Sequence, residues 1–170
     1  MRFFRIVPVI SFAALVFSAP TWAGTVLECP DISKARQLVE CPAESEVKRM
    51  FKATCGWERD PQAKNPEKCD SYAEFKRRKF NALWESSDGG FMGYVTCAAP
   101  AAEVKKYTAT GVALSQKNGL YRIVCNYQND VKMIMRTRSV CRVPGVERSS
   151  AVVIRKKCGP DPSACKVECD

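Results

Sequence analysis

Residues 120–138 read LYRIVCNYQNDVKMIMRTR, and their alternation decides the fold class. In the first run Tyr121, Ile123, Cys125 and Tyr127 alternate with Arg122, Val124 and Asn126. In the second, Val131, Met133 and Met135 alternate with Lys132, Ile134, Arg136 and Arg138. A period of two belongs to a half-buried strand, and Gln128-Asn129-Asp130 between the runs has turn composition. The segment therefore reads as an antiparallel hairpin with one apolar face and one basic face.

Further strands are expected around it, at 90–97 after the turn-like Ser87-Asp88-Gly89-Gly90, at 107–114 and at 151–156. The N-terminal half reads as helical. Residues 33–39 form a short helical run stopped by Cys41-Pro42, because the residue before a proline disfavours the helical region. Residues 43–51 place Val47, Met50 and Phe51 at helical spacing. A linker rich in Pro, Asn and Lys covers 59–68. Beyond it Asp70 or Ser71 caps a helix whose stripe is Tyr72, Phe75, the Lys79 stem and Leu83. The expected fold is α+β: N-terminal short helices followed by a small antiparallel β-meander, stapled by disulfides.

Residues 1–23 have the layout of a secretory signal, with Arg2 and Arg5, an apolar stretch, and small residues ending at Ala23. The apolar stretch is shorter than the roughly 20 residues of a membrane-spanning helix, and nothing later comes closer. The expected mature chain, 24–170, is a single disulfide-rich domain without a transmembrane segment, periplasmic or secreted. The full chain's 27 Lys and Arg against 18 Asp and Glu give a formal net charge of +9, from which the signal removes only Arg2 and Arg5.

Ten cysteines lie beyond the signal: Cys29, Cys41, Cys55, Cys69, Cys97, Cys125, Cys141, Cys158, Cys165 and Cys169. An even number in an exported chain reads as a disulfide framework of five bridges whose connectivity the sequence leaves open. The crowded tail at 158–170 raises a metal site as the rival. The chain has no histidine, so the Cys/His spacing of structural zinc is missing, and no metal or cofactor is expected.

Cys41, Cys69, Cys97 and Cys125 fall 28 residues apart, the interval that also separates Cys141 from Cys169. Glu46-Val47-Lys48, Glu74-Phe75-Lys76 and Glu103-Val104-Lys105 follow the first three, so 41–125 reads as a degenerate repeat, each unit a helical turn leading into a strand.

From Cys97 through Tyr107-Thr108-Ala109 to Cys125-Asn126-Tyr127 the chain resembles a family of small exported bacterial domains of unknown function, with a Cys opening, an aromatic-Thr-Ala strand and a closing Cys-x-Tyr. The Cys-Pro opening of that pattern stands here at Cys29-Pro30 and Cys41-Pro42. The resemblance implies export and carries no activity with it.

The absence of histidine excludes Ser-His-Asp and Cys-His nucleophilic sites and histidine zinc hydrolases. No glycine-rich phosphate loop occurs. Glu85 and Asp88 beside Trp84 are the one carboxylate pair that a glycan hydrolase could use, against the plainer reading of a turn. Arg122, Lys132, Arg136 and Arg138, extended by Arg155 and Lys157, form the candidate partner- or anion-binding face, and Lys76-Arg77-Arg78-Lys79 a second basic patch. Trp57, Trp84 and Tyr94 read as core more readily than as stacking platforms. The hairpin aromatics fall opposite the arginines, which argues against nucleic acid. The leading expectation is a non-enzymatic exported protein that binds a macromolecular partner, of the periplasmic inhibitor, immunity or accessory type. The alternatives are binding to anionic envelope components such as lipopolysaccharide, and a carboxylate-based glycan hydrolase.

Overall fold

Among the described residues ten strands form two antiparallel sheets. Strands β1 (Thr25–Glu28), β8 (Cys141–Arg142) and β10 (Lys166–Cys169) make a small sheet in the order β1-β10-β8. A seven-stranded sheet holds β2 (Arg36–Gln37), β3 (Asn81–Glu85), β4 (Met92–Thr96), β5 (Ala109–Lys117), β6 (Leu120–Tyr127), β7 (Lys132–Thr137) and β9 (Val153–Lys157), in the order β2-β3-β4-β7-β6-β5-β9. Helices α1 (Glu44–Cys55) and α2 (Tyr72–Lys79) precede β3, and the single turn α3 (Ala101–Val104) joins β4 to β5. The computed structural model describes residues 24–55, 71–146, 153–159 and 161–170. The expected signal at 1–23, the linker at 59–68, Trp57 and Cys69 lie outside the described residues.

One face of the large sheet is buried. Trp84, Val95, Val112, Leu114, Ile123, Cys125, Tyr127 and Met133 join a single apolar cluster with Val143, Val167 and Cys169 from the small sheet and its flanks. Tyr127 donates its phenolic hydrogen to the Pro30 carbonyl at 2.6 Å, so its polar tip is satisfied where the ring is buried. Burial raises the Tyr127 hydroxyl pKa well above its ordinary value. The helices keep a smaller cluster of their own: the Phe51 ring meets Tyr72 and Phe75 at centroid distances of 5.4 and 5.3 Å.

The two halves of the large sheet meet at β4 and β7, where Met92 pairs with Ile134. Gly93 makes that approach possible: a Cβ there would stand 2.1 Å from the Lys132 carbonyl oxygen. No other residue fits without moving backbone. The β5–β6 hairpin closes through Asn118 and Gly119, both at positive φ (51° and 73°), the backbone of a type I′ turn.

Four disulfides join described residues. Cys29–Cys125, 96 residues apart in sequence, ties the segment after β1 to the buried face of β6. Cys41–Cys97 anchors the approach to α1 at the end of β4. Cys141–Cys169 links β8 to β10, and Cys158–Cys165 links the end of β9 to the entry of β10, joining the two sheets. Cys55 is disulfide-bonded as well. No helix among the described residues is long and apolar enough to cross a membrane.

The antiparallel sheet and the disulfide stapling agree with expectation; the order of helices first and strands second does not. The chain opens on β1, which pairs with the C-terminal β10. The expected helix at 33–39 is a 3-10 turn at Ile32–Lys34, capped by Asp31, followed by β2. Its backbone pairs Arg36 with Glu85 and Gln37 with Trp84, and Leu38 donates to the Leu83 carbonyl at 2.7 Å. Seven residues cannot hold a helix against such a ladder. Leu83, expected on the α2 stripe, lies in β3 opposite Tyr94, because Phe80 turns extended and the pairing with β4 begins at Asn81. Residues 120–127 match expectation, and the meander is part of a larger sheet than anticipated.

Candidate functional site

The second face of the large sheet is open, and strand register decides which residues share it. Directly opposed residues in antiparallel strands project to the same side. Arg122 faces Arg136 and Asn126 faces Lys132 across β6–β7, with the Val124–Ile134 pair between them. On the other flank of β6, Ser115 faces Arg122, Ala113 faces Val124 and Gly111 faces Asn126. Beyond β5, Val153 faces Ser115, Arg155 faces Ala113 and Lys157 faces Gly111. Arg122, Lys132, Arg136, Arg155 and Lys157 therefore stand on one face, as expected from their alternation, and all are exposed.

The floor between the cations is low. Short of its hairpin end the outward residues of β5 are Gly111, Ala113 and Ser115, and the strands on either side of it are about 10 Å apart. Ala113 and Val124 lie on this face yet are only 8% and 6% exposed. Long basic side chains on an open sheet cover such apolar floor with their methylene stems while the charged heads stay in water. Among the described residues, none of Arg122, Lys132, Arg136, Arg155 and Lys157 makes an ion pair with a carboxylate; the ion pair on this face is Arg36–Glu85, at the far β2–β3 edge.

Arg138, one residue past β7, completes a groove at the hairpin end. Ser115, Lys117, Asn118, Leu120, Arg122, Arg136 and Arg138 line it around a volume of about 510 Å³. Four of the seven are cations and none is acidic. Lys117 belongs to this group although sequence reasoning missed it; its even spacing from Ser115 and the Asn118-Gly119 turn beside it were the available signal. Tyr94, two residues from Met92 on the same side of β4, also faces outward and is 74% exposed. The expectation that Tyr94 fills the core therefore fails, while the hairpin aromatics Tyr121 and Tyr127 do lie opposite the arginines. Register across the β4–β7 seam, invisible in the local alternation, decides it.

Three of the four cations of the second basic patch are ion-paired. Lys76 donates to Glu44 at 2.7 Å, and Arg77 and Arg78 both contact Glu74. Hydrogen bonding from Arg77 holds the Glu74 carboxyl down to about 2. The carboxylate pair near Trp84 is likewise tied into structure. Trp84 is 2% exposed and faces the core, so its ring offers no platform to a sugar. Glu85 points to the opposite side, where Arg36 donates to it at 2.5 and 2.9 Å. Asp88 accepts from the Ser86 hydroxyl and from the Gly90 amide. The Ser86 hydrogen bond keeps its carboxyl below the ordinary value, the reverse of what a general acid needs.

Comparison with family models, curated proteins and solved structures finds no match to this chain.

Proposed function

We propose that this is an exported, non-enzymatic protein, periplasmic or secreted, that binds an anionic macromolecular partner through the open face of its large sheet, in the manner of an inhibitor, immunity or accessory protein. One observation carries the reading: Arg122 and Arg136 oppose each other directly on an open face with no carboxylate beside them. Like charges in that position destabilise a sheet, so their placement makes sense when an anion relieves them. A disulfide-stapled sheet offers the rigid platform that lowers the ordering cost of association. Export is supported by the described disulfides, which persist in oxidising compartments. The test is capture from periplasmic extract at physiological salt by the immobilised protein and by the Arg122→Glu/Arg136→Glu variant. Partner retained by the first and lost by the second is expected; equal capture would remove the face from the function.

A second reading narrows the partner to an anionic envelope component. It is favoured by exposed apolar residues set among the cations: Leu120 at the hairpin tip, Val153 on β9, and Met92 with Tyr94 on β4. Mixed basic and apolar surface suits a membrane-associated anion better than a purely acidic protein patch.

A further inference from the structure

We infer that the hairpin-end groove is a phosphate subsite, and that the group it takes is the phosphate monoester of an envelope glycolipid headgroup. The inference rests on the envelope reading and names the chemistry of the same face. Lys117, Arg122, Arg136 and Arg138 surround one volume of about 510 Å³, within the range of small-ligand sites. The Arg122 and Arg136 Cβ atoms, directly opposed in register, are about 5 Å apart by sheet geometry, which puts a common point within reach of both guanidinium groups. A guanidinium presents a planar fork that bonds two oxygens at once, and a phosphate monoester has enough oxygens to engage two such forks. Its charge of about −1.5 to −2 also matches the surplus better than a single carboxylate. Ser115, opposite Arg122 on the floor, adds a neutral hydroxyl donor.

The glycolipid source follows from what rims the groove. Leu120 is among the lining residues, and Val153 stands beyond Ser115 on the same face; each is 39% exposed. A free phosphate or a soluble phosphosugar gives these two residues nothing to cover. A headgroup held at a membrane surface places acyl chains or interfacial carbon beside them, while the cations meet the phosphate layer. The Asn118-Gly119 tip, the end of the hairpin, is the part of the sheet that would approach that surface first.

The experiment is sedimentation of the full oxidised protein with three vesicle preparations: phosphatidylcholine alone, phosphatidylcholine containing a diphosphorylated glycolipid, and phosphatidylcholine containing the same glycolipid stripped of its phosphates. Binding to the phosphorylated vesicles should exceed the other two by on the order of tenfold, and millimolar inorganic phosphate should compete. Arg122→Gln/Arg136→Gln should lose about tenfold, whereas Lys132→Gln/Lys157→Gln, on the same face but outside the groove, should lose far less. Leu120→Ser should weaken vesicle binding without changing the competition by inorganic phosphate. Equal binding to phosphorylated and stripped glycolipid overturns the inference, as does equal loss in the two double variants. A protein that ignores all vesicles but still captures a soluble acidic partner through Arg122 and Arg136 sinks the glycolipid site and leaves the open-face reading standing.

Discussion

Arg122 and Arg136 face each other directly across the β6–β7 ladder, both exposed and neither ion-paired with a described carboxylate. Opposed like charges cost a sheet a few tenths to about 1 kcal/mol, and opposite charges there contribute a similar amount. Arg136→Glu should therefore stabilise the free protein by about 1 kcal/mol, raising its melting temperature by about 2–4 °C, while abolishing anion binding. Thermal melts paired with the capture assay check this trade. A lower melting temperature would show that the two guanidinium groups do not repel in the free protein.

Cys29–Cys125 closes the longest loop among the described bridges, spanning 96 residues. Loop-closure arguments assign a bridge of that span a contribution of about 4–5 kcal/mol. Cys29→Ala/Cys125→Ala should lower stability by an amount of that order, and full reduction should leave the domain unfolded or loosely packed at neutral pH. Free-thiol counting under denaturation, then melts with and without reductant, measure both. Mostly free thiols in protein purified from an oxidising compartment, or a melt indifferent to reductant, would overturn the stapled fold.

Gly93→Ala should separate β4 from β7, because the added Cβ would meet the Lys132 carbonyl oxygen at 2.1 Å and backbone must give way. A loss of about 2–3 kcal/mol is expected, as for overpacking of a tight core site. Gly119→Ala makes the control: its φ of +73° strains a side chain, yet nothing lies within 4 Å of the new Cβ. That variant should lose about 1 kcal/mol. Denaturation midpoints rank the two, and a Gly93→Ala midpoint equal to wild type would refute the close approach.

Glu74 accepts hydrogen bonds from Arg77 at 2.6 and 2.8 Å, which hold its carboxyl at about 2 against an ordinary 4.5. A folded-state value below the unfolded one means the contribution is whole above pH 4.5 and is lost as pH falls toward 2. Helix α2 should lose amide protection across that window. Glu74→Gln keeps the Ser71 cap on the residue 74 amide but removes the titration, so its helix protection should vary less with pH. Hydrogen exchange against pH decides, and identical profiles for the two proteins would assign the acid sensitivity elsewhere.

Local alternation made β6 legible to the residue, and within each strand it set Arg122, Lys132 with Arg136, and Arg155 with Lys157 opposite the apolar positions; register between strands then put all five on one face. That is the reach of a period-two pattern: it sorts side chains to faces within a strand. The Asn118-Gly119 turn went unread in the sequence, although two adjacent residues at positive φ are a local demand that Asn-Gly meets. Tertiary structure alone decided the rest. Residues 33–39 and Leu83 have helical spacing, yet Arg36–Gln37 and Leu83 went into strands because a partner strand offered more hydrogen bonds than a short helix could. Tyr94 joined the basic face only because β4 docks on β7 rather than on β5. The disulfide partners, and the pairing of the first described strand with the last, join residues far apart in sequence. Spacing along a chain carries no information about such contacts, whose cost is loop closure and whose gain exists only once the core has formed.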